Sequence, residues 1–388
     1  MQSSDPRHFF ETDAEQLKRS LRAAKATNKF GSPIPLKSKI LAATPDPLSL
    51  STSLLVAEST GSVRRVSLSY FLGKPPSTSQ TYRGPTTPIS ALTTTPTTLF
   101  AGAWDKTIWS WDLTTRTPGQ KYTGHSDFVK ALACTRIGDV DILISGGADK
   151  KIIVWDVATG KKLHVMTDAV VAMGSVQGLV VDSMGGKEGE EVVVVSASSD
   201  PHIRRWRVRM NGWEQEVIGE GEEEKRVIAE HETTVYKVVV DEEGEGDIWS
   251  ASGDGMVKCL ARGKGWAVEE TLEHGGHVRA VAVTERWVVT AGRDEDVKFW
   301  DRAEGRLYCA LQGHFDEVTE LVVVGDKVVS VSIDGTVRSW PLDKAALDEA
   351  VEEQKPKVEE EEEKGPEKGS GLLSADEEAE LAALMEED

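Results

Sequence analysis

The side chains in this sequence best suited to chemistry are eight histidines and three cysteines. Imidazoles and thiolates act as metal ligands, acids, bases or nucleophiles when further ligands or carboxylates lie nearby. His274 and His277 are three residues apart, but they flank Gly275-Gly276 and have no neighbouring cysteine or carboxylate cluster. The cysteines are far apart and form no CxxC pair: Cys134, Cys259 and Cys309. These spacings predict neither a metal site nor a disulfide framework.

Motifs for nucleophilic catalysis and phosphate binding are also missing from the sequence. It contains no Gly-x-Ser-x-Gly, no Walker-type loop and no GxGxxG that opens a helix. We therefore predict no catalytic residues, no metal and no cofactor, and we expect a protein that is not an enzyme. Unpaired thiols indicate a reducing compartment, the cytoplasm and/or the nucleus. No apolar run is long enough for a membrane span, and the N-terminus lacks the pattern of a secretory signal.

One stretch, Thr123 to Val157, shows the elements that position the polar side chains. It opens on Gly124-His125 and closes on Trp155-Asp156. Three β-type runs lie between these pairs, and a Gly-Gly-Ala-Asp turn joins the last two. The stretch resembles one WD40 repeat, the four-stranded blade of a β-propeller.

Seven segments share the pattern of the third strand in such a blade. They end near Val66, Trp111, Trp155, Trp206, Leu260, Trp300 and Trp340, at intervals of 45, 44, 51, 54, 40 and 40 residues. These intervals are typical of WD40 repeats, two of them lengthened by insertions. The sequence therefore predicts an all-β fold, a seven-bladed WD40 β-propeller over residues 29–342.

The seventh repeat stops after its third strand, at Ser339 to Leu342. Because a closed ring leaves no exposed strand edge, we predict that a segment within 29–37 supplies the missing outer strand. Residues 1–28 form an N-terminal extension with a short amphipathic helix at 13–27, which starts at a capping box. This helix either packs on the propeller or serves as a partner-docking or basic localisation element.

Residues 343–388 hold 18 acidic and 5 basic side chains. This composition predicts an acidic, largely disordered tail. We expect a brief helix at Ala345 to Val351 and a second short helix at 375–386. The second helix either folds on a partner or belongs to a segment that only favours solubility.

The WD40 resemblance implies a hydrogen-bond relay that joins a histidine, a Ser or Thr, the turn aspartate and a Trp. The complete sets are His125, Ser145, Asp149 and Trp155 in blade three, His274, Thr290, Asp294 and Trp300 in blade six, and His314, Ser330, Asp334 and Trp340 in blade seven. Blade five has His231, Ser250 and Asp254, but Leu260 replaces the Trp. Blades one, two and four lack the histidine, and we expect plain apolar packing there instead.

The resemblance also implies a partner-binding face, formed by residues after the histidine and before the turn aspartate. The candidates on this face are Trp104, Phe128, Thr234, His277, Arg293, Phe315 and Glu317. Exposed aromatic and arginine side chains commonly dominate interface energies. The alternative for the aromatic residues is that they pack against neighbouring loops.

The formal charge of the chain indicates what kind of partner it binds. The net charge is −20, and two loops, Glu214 to Lys225 and Asp241 to Asp247, are acidic. We predict a non-catalytic scaffold, assembly factor or chaperone, a monomeric subunit of a larger complex, whose client is basic, such as a ribosomal protein or a histone. Direct binding of nucleic acid is not expected from an acidic chain. The alternative is a substrate receptor or regulatory subunit of a modifying enzyme, such as a ubiquitin ligase or a methyltransferase.

Overall fold

The computed structural model describes residues 13–68, 80–168, 170–218 and 225–355, with the backbone alone at residues 13–15, 18, 21 and 24. The 28 strands in these ranges form seven four-stranded antiparallel sheets. Each sheet is one blade of a closed ring. The predicted seven-bladed β-propeller is therefore confirmed.

The strands follow one another around the ring in chain order. Blade one contains β2 (Ile40–Pro45), β3 (Ser53–Glu58), β4 (Ser62–Ser67) and β5 (Gln80–Arg83). Blade two contains β6 (Ile89–Thr94), β7 (Thr98–Ala103), β8 (Thr107–Asp112) and β9 (Tyr122–Thr123). Blade three contains β10 (Val129–Ile137), β11 (Val140–Gly147), β12 (Ile152–Asp156) and β13 (Lys162–Met166). Blade four contains β14 (Val176–Asp182), β15 (Glu191–Ser198), β16 (Ile203–Arg209) and β17 (Gly212–Gln215).

The remaining three blades repeat this order. Blade five contains β18 (Val235–Val240), β19 (Ile248–Ser252), β20 (Met256–Ala261) and β21 (Ala267–Glu273). Blade six contains β22 (Val278–Val283), β23 (Trp287–Gly292), β24 (Val297–Asp301) and β25 (Arg306–Leu311). Blade seven contains β26 (Val318–Val324), β27 (Lys327–Ser332), β28 (Thr336–Pro341) and, from the start of the chain, β1 (Ile34–Pro35).

The apolar core lies between the blades. The first strand of each blade contacts the first strands of both neighbouring blades, so these seven inner strands surround the central channel. The buried apolar side chains of the described residues form seven clusters, one at each interface between neighbouring blades. Val- and Ile-rich strands suit this arrangement because both faces of a blade are covered.

The ring closes where β1 pairs with β28. Ile34 lies opposite Val337, and Pro35 lies opposite Thr336, in antiparallel register. Proline is tolerated here because β1 is an outer strand, whose second edge needs no ladder partner. The predicted closure by a segment within 29–37 is confirmed.

Two helices flank the propeller. Helix α1 (Asp13–Ala26) is held by charge, since the Lys25 ammonium lies 2.8 Å from a Glu295 carboxylate oxygen and Arg22 lies within 3.7 Å of the same group. Leu17 on this helix remains 61% exposed. Helix α2 (Lys344–Gln354) buries Leu347 in the cluster between blades six and seven. The predicted helix at 375–386 lies outside the described residues.

Some residues of the acidic loops form internal ion pairs. Glu214 and Glu216 bind arginines of β16, and the buried Asp241 pairs with Arg302. The exposed acidic residues of the loop between β18 and β19 are Glu242, Glu243 and Glu245. The freely solvated negative charge of these loops is therefore smaller than the sequence suggests.

Candidate functional site

One end of the central channel is organised by a hydrogen bond that recurs in all seven blades. In each blade, the donor is the backbone N–H of the residue that precedes the turn between the second and third strands. The acceptor is the carbonyl oxygen of the residue before the inner strand, 2.8–3.0 Å away. The donor and acceptor pairs are Ser59–Lys39, Trp104–Pro88, Ala148–Phe128, Ser199–Ser175, Gly253–Thr234, Arg293–His277 and Ile333–Glu317. Because the seven inner strands start at the same end of the channel, these fourteen residues surround its opening. We call them the mouth ring.

An aromatic pair dominates one side of the mouth ring. The Trp104 and Phe128 rings, from neighbouring blades, are stacked with 5.0 Å between centroids and 15° between planes. Trp104 remains 41% exposed, whereas Phe128 is half-buried. The two rings therefore pack against each other, and the indole still presents apolar surface to solvent.

The other candidate partner-binding residues are close to the ring but differ in accessibility. His277 and Arg293 are exposed members of blade six. Thr234 donates its hydroxyl to the Ser199 carbonyl across blades four and five, over 3.2 Å. Glu317 forms an ion pair with Arg279, with 3.2 Å between Nε and Oε1. Phe315 is half-buried in the loop that precedes β26. Partner binding by these residues stays a prediction.

A second set of channel residues was missed by sequence reasoning. Every inner strand has a register shift at its second residue, which leaves that residue outside the ladder. The seven bulged residues are Leu41, Ser90, Lys130, Gln177, Tyr236, Arg279 and Thr319. A bulge re-aims its side chain, and here it brings polar groups of different blades together around the channel. The sequence signal that could have identified these residues is their position, directly after the first apolar residue of each inner strand.

The structural relay has similar distances in three blades. In blade three, the ring nitrogens of His125 lie 2.9 Å from Asp149 and 2.8 Å from Ser145, and Trp155 donates its indole N–H to Ser145 over 2.8 Å. The corresponding distances from the histidine are 3.0 and 2.8 Å in blade six and 2.9 and 2.7 Å in blade seven. The indoles of Trp300 and Trp340 complete these two sets. All three histidines are buried, so the relay satisfies polar groups inside the ring.

Burial and hydrogen bonding shift the pKa values of several relay side chains. Burial lowers the pKa of His125, His231 and His314, and the hydrogen bond with the aspartate offsets this only in part. Burial alone would raise the pKa of Asp294, but hydrogen bonds from His274 and Lys298 lower it to about 2. The neutral form of the histidine is therefore favoured in blades three, five and seven, and the ionised form of Asp294 is favoured in blade six.

Blade five keeps most of the relay without a Trp. The ring nitrogens of His231 form hydrogen bonds with the Asp254 carboxylate and the Ser250 hydroxyl, over 2.9 and 2.8 Å. The Ser250 hydroxyl also lies 3.3 Å from the Lys258 carbonyl. The buried Leu260 makes no polar contact at the position of the indole.

The expectation of plain apolar packing in blades one, two and four is wrong. In blade four, buried Arg204 binds Asp168 over 2.7 Å and Asp200 over 2.8 Å. In blade one, Arg64 lies 3.1 Å from the buried Glu58. In blade two, the Trp109 indole donates to Asp105 over 3.0 Å. Buried polar groups need partners, and these blades use ion pairs or an indole where the histidine is missing.

Comparison with known proteins agrees with this architecture. Residues 120–218 match the tRNA methyltransferase TRM82 WD40 domain, and residues 76–112 and 268–301 match the WD domain, G-beta repeat. An uncharacterized WD repeat-containing protein of Schizosaccharomyces pombe is 26% identical, over 99% of this chain and 100% of that protein. WD repeat-containing protein 37 of Mus musculus is 27% identical, over 58% of this chain and 50% of its own length. The solved WD40 β-propeller domain of Doa1 superposes with a TM-score of 0.63 at 18% identity, over 82% of this chain and 97% of that one.

The ring of seven four-stranded blades defines the class of protein as a β-propeller. The repeats matched within it are WD40 repeats. The chain is therefore a seven-bladed WD40 β-propeller, a fold that typically supports protein interactions.

Proposed function

We propose that this protein is a non-catalytic interaction scaffold that receives a protein or peptide partner at the mouth ring. The observation that carries the proposal is the exposed Trp104 ring, which is stacked on the half-buried Phe128 ring. Exposed Arg293 and His277 supply polar groups elsewhere on the same ring. Aromatic and arginine side chains commonly dominate interface energies, and aromatic rings also lose little conformational entropy per unit of contact area.

The candidate client of such a scaffold is a basic protein, such as a ribosomal protein or a histone, with this chain as its assembly factor or chaperone. The net charge of −20 supports this proposal. Exposed Glu242, Glu243 and Glu245 add local negative charge outside the mouth ring. Capture of a basic client should weaken between about 50 and 300 mM salt, because salt screens exposed charges.

A second candidate is a regulatory subunit or substrate receptor of a modifying enzyme, such as a methyltransferase or a ubiquitin ligase. The match of residues 120–218 to the tRNA methyltransferase TRM82 WD40 domain favours the methyltransferase form. Co-purification with a methyltransferase or a ligase would select this candidate over a chaperone role.

We propose that the chain itself has no catalytic activity and uses neither metal nor cofactor. Four of its histidines are engaged in the blades, which leaves them unavailable for acid–base chemistry. No long apolar helix occurs among the described residues. We propose a monomeric subunit of a larger complex in the cytoplasm and/or nucleus, without direct binding to nucleic acid.

Affinity purification with mass spectrometry tests the proposed site. The test variant replaces Trp104, Phe128, Arg293 and Phe315 with alanine, and the control carries Val165→Ala and Leu307→Ala. Both control residues are exposed, on outer strands β13 and β25. We expect the test variant to fold and to lose partners that the wild type and the control retain. Equal recovery of partners by all three proteins would refute the placement of the site at the mouth ring.

A further inference from the structure

The central channel holds two cations from opposite sides of the ring. Lys130 belongs to blade three and Arg279 to blade six, and both are bulged residues of inner strands. Arg279 lowers the pKa of Lys130, after the larger effect of burial. Lys130 contacts Gln177 of blade four and Arg279 contacts Tyr236 of blade five, and both of these partners are also bulged residues of inner strands.

Lys130 has little compensation for its charge. Its ammonium is half-buried, and the hydrogen-bond partner recorded for it is the neutral Gln177 amide oxygen, 3.4 Å away. Among the described residues, no carboxylate lies within ion-pair distance of this ammonium, and Asp127 raises its pKa by less than burial or Arg279 lowers it. A partly desolvated cation without a counter-charge is unfavourable, and a bound anion would remove this cost.

Arg279 is already oriented for such an anion. Its guanidinium lies 4.3 Å from the Tyr236 ring centroid, and its Nε is 3.2 Å from Glu317. These two contacts restrict the side chain, and the guanidinium has further N–H donors for a bidentate contact.

Deeper in the channel the charges are balanced. Lys237 and Glu320 follow the bulged residues of blades five and seven and form an ion pair, with 2.9 Å between Nζ and Oε2. This pair spans blades five and seven beneath the level of Arg279. Lys130, which has no ion-pair partner among the described residues, therefore lies in the outer part of the channel, next to the mouth ring.

We infer that the outer channel binds an anionic group, a carboxylate or a phosphate ester, carried on a peptide segment of the partner, between Lys130 and Arg279. This inference rests on the proposed function and names the chemistry of one segment of the partner, which differs from the basic charge proposed for the client as a whole. Phe128 precedes Lys130 by two residues, a spacing of about 6–7 Å along an extended chain. A peptide with an apolar side chain on the Trp104–Phe128 stack would thus bring a neighbouring acidic side chain to Lys130.

The test uses the full-length protein and three fluorescein-labelled peptides. Their sequences are Gly-Leu-Glu-Glu-Gly, its counterpart with two phosphoserines, and its counterpart with two lysines. Affinity is measured by fluorescence anisotropy at about 50 and 300 mM salt. We expect tighter binding of both anionic peptides than of the lysine peptide, and the tighter of the two identifies the preferred anion.

Lys130→Met and Arg279→Met test the two cations separately. Methionine preserves the unbranched stem of Lys130, so a folded protein is expected for that variant. Each change should weaken binding of the anionic peptides by about tenfold or more, the loss typical of one charge-assisted hydrogen bond. Lys150→Met is the matched control, because Lys150 is an exposed lysine in the blade-three turn beside the mouth ring. It should change affinity by less than about twofold.

Two results would overturn the inference. One is equal affinity for the anionic and lysine peptides. The other is an equal loss of affinity for the anionic peptides in Lys130→Met and Lys150→Met. If the variant with alanine at Trp104, Phe128, Arg293 and Phe315 still loses its partner in either case, the proposed function survives and only the anionic preference fails.

Discussion

Trp104 and Phe128 are stacked across the interface between blades two and three, with 5.0 Å between their ring centroids. Each residue also occupies its place in the mouth ring through a backbone hydrogen bond within its own blade. The contact therefore links two independently anchored loops. It also keeps 41% of the Trp104 surface open to solvent.

A double-mutant cycle should measure this aromatic contact directly. We expect Trp104→Ala and Phe128→Ala to show a favourable coupling of about 0.5–1.5 kcal/mol in the free energy of unfolding, the range for stacked aromatic pairs. The measurement is urea unfolding of the wild type, both single variants and the double variant. Additive effects would mean that the rings do not interact in solution.

Two buried serines offer a comparison between a complete and an incomplete relay. Ser330 contacts both His314 and the Trp340 indole, whereas Ser250 contacts His231 and has no indole partner. Ser330→Ala leaves two buried groups without that partner, so it should destabilise the protein by about 1 kcal/mol more than Ser250→Ala. Both unfolding free energies come from denaturant titration. Equal losses would show that the indole bond contributes nothing measurable.

The buried histidines predict loss of stability in mild acid. Burial lowers the pKa of His125, His231 and His314 below the ordinary value of 6.5. Below about pH 6.5 the unfolded chain binds protons that the folded protein does not, so stability is complete above that pH and decreases as pH falls. Asp294, with its pKa lowered to about 2, adds a second loss only as pH falls from about 3.8 towards 2.

Replacement of one histidine should reduce this pH dependence. His314→Asn is expected to be less stable than the wild type at pH 7.5, with a slope between pH 6.5 and 5.5 that is smaller by up to about 1.4 kcal/mol per pH unit. His277→Asn is the control, because it removes an exposed histidine. Denaturant titrations at several pH values give the slopes. An unchanged slope in His314→Asn would contradict the assignment of His314 as a buried neutral group.

Ring closure can be tested with two glycines of similar backbone conformation. Gly31 and Gly265 have φ angles of 66° and 64°, so alanine is strained at both positions. A Cβ on Gly31 would lie 2.8 Å from the Trp340 ring, whereas a Cβ on Gly265 would meet nothing within 4 Å. Gly265→Ala should cost about 1 kcal/mol. Gly31→Ala should cost about 1–3 kcal/mol more, because it disturbs the junction between β1 and β28.

The thermal or denaturant midpoint of each glycine variant provides the readout. Similar losses for Gly31→Ala and Gly265→Ala would indicate that the closing segment moves away from Trp340 easily. Such a result would argue for weak closure of the ring.

Much of the fold was predictable because its signals are local and repeated. Third-strand patterns such as those ending at Trp155 and Trp300 recur at nearly constant intervals, and each predicts one blade. The missing outer strand of blade seven was predictable for a different reason, since an exposed strand edge is unfavourable. The stretch from Gly31 to Leu36 was suited to an edge position by its prolines.

The substitutes for the relay were not predictable, because their partners come from separate parts of the sequence. Arg204 and Asp168 are 36 residues apart, yet they form a buried ion pair in blade four. No motif marks this pair, and the absence of a histidine suggested apolar packing instead. A buried carboxylate still requires a counter-charge, and the fold supplies it from the third strand.

Repeat spacing and residue type, together with the resemblance to WD40 repeats, were thus enough to predict the number of blades and the closing strand. Hydrophobic pattern and turn chemistry act over a few residues, so they can be read along a single chain. Only the folded ring decided that Trp104 meets Phe128 and that Lys130 and Arg279 extend from inner strands around one channel. These pairs join residues of different blades, and their separation in space depends on ring closure rather than on local sequence.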